Sequence, residues 1–236
     1  MIEINGKYYN EPAGKGYPFW RYREDGNIGL LPNTTRQNKR GHDKEWFTDL
    51  KSFFGLDIMH TKLIVNSNAQ GRLEISRSGR ENKTRTQFNT YIVEGTYSNN
   101  MYDHIDNDPY NCTYENQRPA THAQNACNKK MSKNNTSGFK GVHWSKRDNC
   151  YIVALRYQGI THSGSTYKTS IVGGLAYNEM ARKYHGEFAR LNEITVNDII
   201  DTYMDLNYRT KLIRDLKVLD KHFNTNWSDI INNIKE

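Results

Sequence analysis

Residues 102–130 read YDHIDNDPYNCTYENQRPATHAQNACNKK. An adjacent Asp103–His104 pair stands at the start. A segment crowded with Asn, Asp and Pro follows and supplies Asn111 and Asn116. The stretch closes on Asn125, in what reads as a short helix. Asn, Asp and Pro are turn formers, because their side chains or ring fix the local backbone. A turn-rich loop leading to a short helix is therefore expected. Singly, each residue has an ordinary explanation: a surface turn for the Asp-His pair, turn caps for the asparagines, a solvated amide for Asn125. Their combination is what carries information.

Phosphodiester hydrolysis needs such a combination. A base must take a proton from water, and a cation must neutralise the charge that builds on the phosphate and its leaving oxygen. Histidine titrates near neutrality and is the usual base. A hard cation such as Mg2+ takes oxygen ligands, one or two from the protein and the rest from water and substrate phosphate. Asp103 and Asn125 offer two such oxygens. In a regular strand His104 leaves on the face opposite Asp103. Either the strand end is distorted, or metal and water reach the phosphate from different sides.

Asp103, His104, Ile105, Asp106, Asn111, Asn116, Arg118, Thr121 and Asn125 together resemble the His-Asn-His nuclease motif. The resemblance implies a ββα hairpin that holds one divalent metal and cuts DNA to 5′-phosphate and 3′-hydroxyl ends. It implies His104 as general base, Asp103 and Asn125 as metal ligands, and Asn116 as the brace that orients His104. Arg118 and His122 become phosphate contacts. Mg2+ is the implied cofactor, and Mn2+ fits the same ligands. Gln117 departs from the motif, which has Leu at that packing position.

Residues 137–192 resemble the apetala-two type DNA-binding domain of ethylene-response factors, which phage-type His-Asn-His nucleases often carry. The matching residues are Gly138-Phe139-Lys140-Gly141-Val142, Tyr151 to Arg156, Gly164, and Gly186-Glu187-Phe188-Ala189-Arg190-Leu191-Asn192. The residues themselves agree. Tyr151, Val153 and Leu155 alternate with Ile152, Ala154 and Arg156, a strand pattern. Leu175, Ala176, Met180, Tyr184, Phe188 and Leu191 recur at helical spacing from Gly174 to Leu191, and Gly173, Gly174, Ala176 and Ala181 allow close packing on a sheet. A three-stranded sheet covered by one helix leaves a second face that can enter the major groove. Lys140, His143, Arg147 and Arg156 are the residues expected there, with Ser145 and His162 beside them. The family's tryptophan and several of its arginines are missing, so its base specificity does not carry over.

Charge is distributed to match. Net charge is +7. Residues 129–190 hold 11 Lys/Arg against 3 Asp/Glu, a net of +8, whereas residues 1–128 net +1 and residues 191–236 net −2. A basic excess confined to one segment points to an anionic partner, here double-stranded DNA. No apolar run is long enough for a membrane span, and the start lacks a signal peptide, so a cytoplasmic protein is expected. The three cysteines, Cys112, Cys127 and Cys150, have no paired short spacing. That argues against a disulfide framework and a structural zinc site, although Cys112 and Cys127 both lie within the nuclease motif.

Elsewhere the sequence says less. Residues 43–54 read as a helix with Trp46, Phe47, Leu50, Phe53 and Phe54 on one face. Met59-His60-Thr61-Lys62-Leu63-Ile64 resembles the helix that often precedes the nuclease hairpin. Residues 66–98 form a basic insertion (Arg72, Arg77, Arg80, Lys83, Arg85), with strand expected over Thr84–Val93. A hairpin reaching DNA and a merely superficial hairpin are its two readings. Residues 195–236 read as helices, opened by a cap at Thr195-Val196-Asn197-Asp198 and broken at 224–227. Their near-neutral charge suits packing and leaves a homodimer open.

The expected fold class is α+β: an aromatic-rich amino-terminal region with the insertion (1–98), a ββα-metal hairpin (99–131), a three-stranded sheet with one helix (132–192) and carboxy-terminal helices (193–236). The expected function is a site-specific DNA endonuclease, a homing enzyme first and a type II restriction enzyme second. An inactive DNA-binding protein is the non-enzymatic alternative.

Overall fold

Small antiparallel sheets and helices make a mixed α and β architecture. The computed structural model describes residues 2–4, 7–9, 19–31, 46–55, 63–67, 73–77 and 85–234. The chain divides into two compact units, Met1–His122 and Ala123–Glu236.

In the first unit, β1 (Ile2–Ile4) and β2 (Lys7–Tyr9) form a hairpin. β3 (Phe19–Tyr22), β4 (Ile28–Leu31) and β5 (Trp46–Thr48) form a sheet in that order. The β3–β4 turn closes because Asp25 accepts the Asn27 amide at 3.0 Å and pairs with Arg23. Helix α1 (Leu50–Gly55) starts where Asp49 accepts the Ser52 amide at 2.7 Å. β6 (Leu63–Ser67), β7 (Leu73–Arg77) and β8 (Arg85–Gln87) form a meander, followed by α2 (Phe88–Glu94). β9 (Tyr102–His104) and β10 (Gln117–Pro119) pair antiparallel. Ile28, Leu30, Trp46, Phe53, Leu73, Ile75, Phe88, Tyr91, Ile92 and Cys112 make the core.

Three expectations in this unit need correction. Within residues 43–54, Trp46–Thr48 is strand, because it pairs with Ile28–Leu30; the helix starts only at Leu50. Leu63 and Ile64 belong to β6, not to a helix; Met59 to Lys62 lie outside the described residues. Within Thr84–Val93, strand ends at Gln87 and helix takes over. Residues Phe88 to Ile92 are all buried, so packing overrides the strand preference of Thr90, Ile92 and Val93. Arg72, Arg80 and Lys83 lie outside the described residues.

The second unit continues α3 (His122–Cys127), whose first residue closes the first unit. β11 (Val142–Ser145), β12 (Cys150–Tyr157) and β13 (Ile160–Tyr167) form an antiparallel sheet in that order, covered by α4 (Ser170–His185). The helix starts four residues before Gly174 and stops at His185, short of the expected Leu191, with a 3-10 turn at Gly186–Phe188. Close packing explains the glycines. A Cβ on Gly174 would stand 2.8 Å from the Phe139 ring. Gly141 has φ of +74°, and a Cβ there would stand 2.0 Å from the Tyr177 ring.

α5 (Val196–Met204), α6 (Leu206–Phe223) and α7 (Ser228–Ile234) follow. Thr195 and Asp198 form the expected capping box, and Asn224 ends α6 in a left-handed conformation. These helices share one core with the sheet: Ile199, Leu212, Leu216, Leu219 and Ile231 join Val153, Leu155, Tyr167 and Val172. Buried Asp215 of α6 ties them in. Its Oδ2 accepts the amides of Lys168 and Thr169 and the Thr169 hydroxyl, at 2.7, 2.8 and 2.9 Å, where α4 begins.

Candidate active site and nucleic-acid interface

The β9–β10 hairpin carries the first group of expected residues. Its register sets Asp103 opposite Arg118 and His104 opposite Gln117. The ladder is regular, so Asp103 and His104 leave on opposite faces. Asp103 is 3% exposed. Arg118 donates to its Oδ2 twice, from Nε at 3.1 Å and Nη2 at 2.8 Å. His104 is half-buried and its Nε2 is enclosed. With Leu73, Gln87, Asn89, Pro109 and Cys112 it lines a cavity of about 10 Å³.

The loop between the strands is organised by amides. Asn116 accepts the Asp106 amide at 3.1 Å and donates to the Asp106 carboxylate and the Asn111 carbonyl, both at 2.9 Å. Its own carbonyl accepts the Ile105 amide at 2.9 Å, next to His104. Asn111 donates to Asp106 at 2.8 Å and caps Thr113. Gln117, the departure from the motif, donates to the carbonyls of Asn111 and Thr113. A polar residue there fastens the loop instead of packing.

Other elements hold this hairpin. The Thr48 hydroxyl donates to the Cys112 carbonyl at 2.9 Å, and Asp49 accepts the Tyr114 amide at 2.9 Å. Asn89 of α2 donates to the Tyr102 carbonyl at 3.1 Å. The end of the insertion is thus scaffold for β9. Asp106, Asp49 and Asn89 were missed as supports. Only Asp106 had a signal, its place in the motif; the other two depend on remote pairings. A larger cleft, about 610 Å³, is lined by Asp49, Lys51, Thr113, Tyr114 and Glu115 among others, and no proposed catalytic residue lines it.

His122 is exposed at the first position of α3, and Asn125 lies half-buried on the same helix. Cys112, Cys127 and Cys150 are buried thiols. Among the described residues no three His, Cys, Asp or Glu side chains cluster to hold a metal.

The expected DNA-facing residues divide. His143 pairs with Ile152 and Arg156 with Thr161, on the sheet face away from the buried Val142, Val153 and Leu155. Both are exposed. Arg147 projects from the β11–β12 turn, 89% exposed, and pairs with Asp148 at 3.0 Å. The Ser145 hydroxyl donates to the same carboxylate. His162 stacks on Tyr184 of α4 at 4.1 Å between ring centroids, so it belongs to the covered side.

Lys140 is turned inward. Its Nζ donates to the Cys127 carbonyl at 2.6 Å and lies 5.9 Å from the Tyr177 ring centroid. Burial lowers its pKa from 10.5 to about 8. Between those values the unfolded chain binds more protons than the folded one, so stability of the second unit should rise with pH from about 8 to about 10. Above that the sign reverses. Burial raises Tyr167 to about 12 and Tyr177 also upward, so these phenols ionise first in the unfolded chain. Thermal melts against pH should show the rise in the parent and not in Lys140→Met.

Protein 3.8 of Escherichia phage T7 is 36% identical over 88 residues, which cover 37% of this chain and 72% of that protein. The chain belongs to the family of Protein 3.8. No family model matches it, and no solved structure does. The name Protein 3.8 states no activity, so the chemistry of this member rests on the residues above. Among the described residues no helix is long and apolar enough to cross a membrane.

Proposed function

We propose that the protein is a metal-dependent, site-specific DNA endonuclease of the His-Asn-His type, and in biological role a homing enzyme. One observation carries the reading. An antiparallel hairpin followed by a helix bears Asp103 and His104 on its first strand, a loop braced by Asn116, and Asn125 on the helix. His104 is the base that takes a proton from water. Asn116 fixes the backbone that follows His104. Kinship with a phage protein is in keeping with a mobile-element enzyme.

Donors of these types suit a hard cation. Asp103 supplies a carboxylate and Asn125 an amide oxygen, and hard divalent ions need few further protein ligands. The carboxylate already attracts positive charge, since the Arg118 guanidinium stands in for a cation at Oδ2. Mg2+ or Mn2+, when bound, would neutralise the charge that develops on the phosphate. Asp103 and His104 leave opposite faces of β9, so a metal held by Asp103 and a water deprotonated by His104 would meet the phosphate from different sides.

His143 and Arg156 on the open sheet face, with Arg147 at its turn, serve as duplex contacts. Arg147→Ala and Arg156→Ala should each lower the salt slope of binding by about one and leave the cleavage rate of bound DNA unchanged. Unaltered affinity at every salt concentration would remove this face from the reading. The decisive experiment is cleavage of a complex DNA library with end mapping. A long, degenerate site cut with Mg2+ supports homing. A short palindrome cut on both strands would replace homing with restriction. No cleavage with either metal would leave an inactive DNA binder.

A further inference from the structure

Helix α6 separates its charges. Lys211, Arg214, Lys217 and Lys221 recur at intervals of three, three and four. At 3.6 residues per turn they fall within about 120° of the helix circumference and extend about 15 Å along its axis. All four are exposed. The two acids within the helix are turned inward. Asp215 is 1% exposed and caps the start of α4. Asp220 accepts the Trp227 and Ser228 amides, both at 2.8 Å, and the Thr225 hydroxyl. The net of −2 over residues 191–236 therefore conceals a helix face whose charged residues are all cationic.

These cations are largely unspent. No ion pair with a described residue engages Lys211, Lys217 or Lys221. The Lys211 ammonium rests 5.3 Å from the Tyr208 ring centroid. Arg214 reaches Asp215 at 2.9 Å, yet its side chain remains 57% exposed. Asp205, the exposed acid that precedes α6, lies outside this arc by helical angle.

We infer that this face of α6 is a second contact surface for the phosphate backbone of duplex DNA. The inference rests on the DNA-binding reading and extends it to a helix that the sequence assigned to packing. Charge complementarity selects the occupant, since a duplex presents about one negative charge per 1.7 Å of axis. Helix α6 packs on α4 and reaches the edge strand β13 from the covered side of the sheet, so its phosphate contacts are separate from those of Arg156 on the open face. An anionic membrane fits poorly. Binding in a bilayer surface needs an apolar face to bury; Leu212, Leu216 and Leu219 are 0% exposed in the core, and the exposed Leu206, Tyr208 and Val218 of α6 are spread around the helix and form no single face.

The test is the full chain with Lys211→Gln, Lys217→Gln and Lys221→Gln together, Arg214 being kept because it touches buried Asp215. Binding of a defined duplex is measured against salt in EDTA, beside the Arg147→Ala/Arg156→Ala variant. Loss of three phosphate contacts should flatten the salt slope by up to about 2.7 and weaken low-salt affinity at least about tenfold. Should the triple variant melt early, single Lys217→Gln and Lys221→Gln variants carry the test, each with an expected loss of about 0.9 in slope. An unchanged slope overturns the inference. If the sheet variant alone loses affinity, the DNA-binding reading survives and α6 drops out of it. If the parent itself binds no duplex, both fall. Binding to anionic vesicles that depends on these lysines, without a change on duplex, also overturns it.

Discussion

His104→Ala is expected to slow DNA cleavage at least about 1000-fold while duplex affinity stays within about twofold. A general base acts on water in the transition state and contributes little to holding the substrate, so the loss falls on turnover. The surroundings of His104 sharpen the expectation. Its ring is half-buried, and the side-chain hydrogen bonds that join Asp106, Asn111 and Asn116 run among those residues without it, so the truncation leaves that loop network in place. Single-turnover cleavage with excess enzyme, paired with a binding isotherm, separates the two quantities. Undiminished single-turnover cleavage would take His104 out of the mechanism, and a parallel collapse of affinity would make it a structural residue.

The second large effect belongs to Asp103 and Arg118. Their side chains are 4% and 13% exposed, and they meet at 2.8 Å. Removing one partner of a buried pair costs about 3–5 kcal/mol, because the other charge keeps its desolvation cost and loses its counter-charge. Asp103→Asn and Arg118→Met should each destabilise the first unit by that order, and the double variant by clearly less than the sum. Chemical denaturation of the four proteins measures the cycle. Calorimetric titration with Mn2+ separates stability from metal chemistry: Asp103→Asn should lose binding, whereas Arg118→Met should keep it and gain affinity, since the competing guanidinium is gone. Strictly additive destabilisation would show that the pair is not coupled. Undiminished Mn2+ binding by Asp103→Asn would show that the carboxylate is not a ligand.

Residues 102–234 were largely legible in the sequence, and the reason is local. The alternation at Tyr151–Arg156, the cap at Thr195–Asp198 and the turn formers between His104 and Asn116 each act on their own neighbours. The amino-terminal region was harder, because its structure is set at a distance. Trp46, Phe47, Leu50, Phe53 and Phe54 satisfy a helical spacing, yet pairing with Ile28–Leu30 draws Trp46–Thr48 into a sheet. Thr90, Ile92 and Val93 favour strand, yet packing against β7 and β8 makes a helix of them. In the candidate site, the places of Asp103 and His104 on a strand and of Asn116 in the loop could be read directly. The pairing of Asp103 with Arg118 could not, since it needs the β9–β10 register. Lys140 shows the same limit: a lysine in a basic segment reads as a phosphate contact until the Cys127 carbonyl is found beside it.

The bond from Asp215 to the start of α4 bears on how such a part can be exchanged between genes. The sheet and α4 resemble a portable module that ends near Asn192. In this protein, however, the capping oxygen for Lys168 and Thr169 comes from 47 and 46 residues further along the chain. A recombination that cut at residue 192 would transplant a helix without its cap and a sheet without Leu212, Leu216 and Leu219 to cover its core. A fragment that keeps this cap and core together therefore extends at least through α6. A chimaera designed on that longer boundary should fold where one designed on the shorter boundary aggregates.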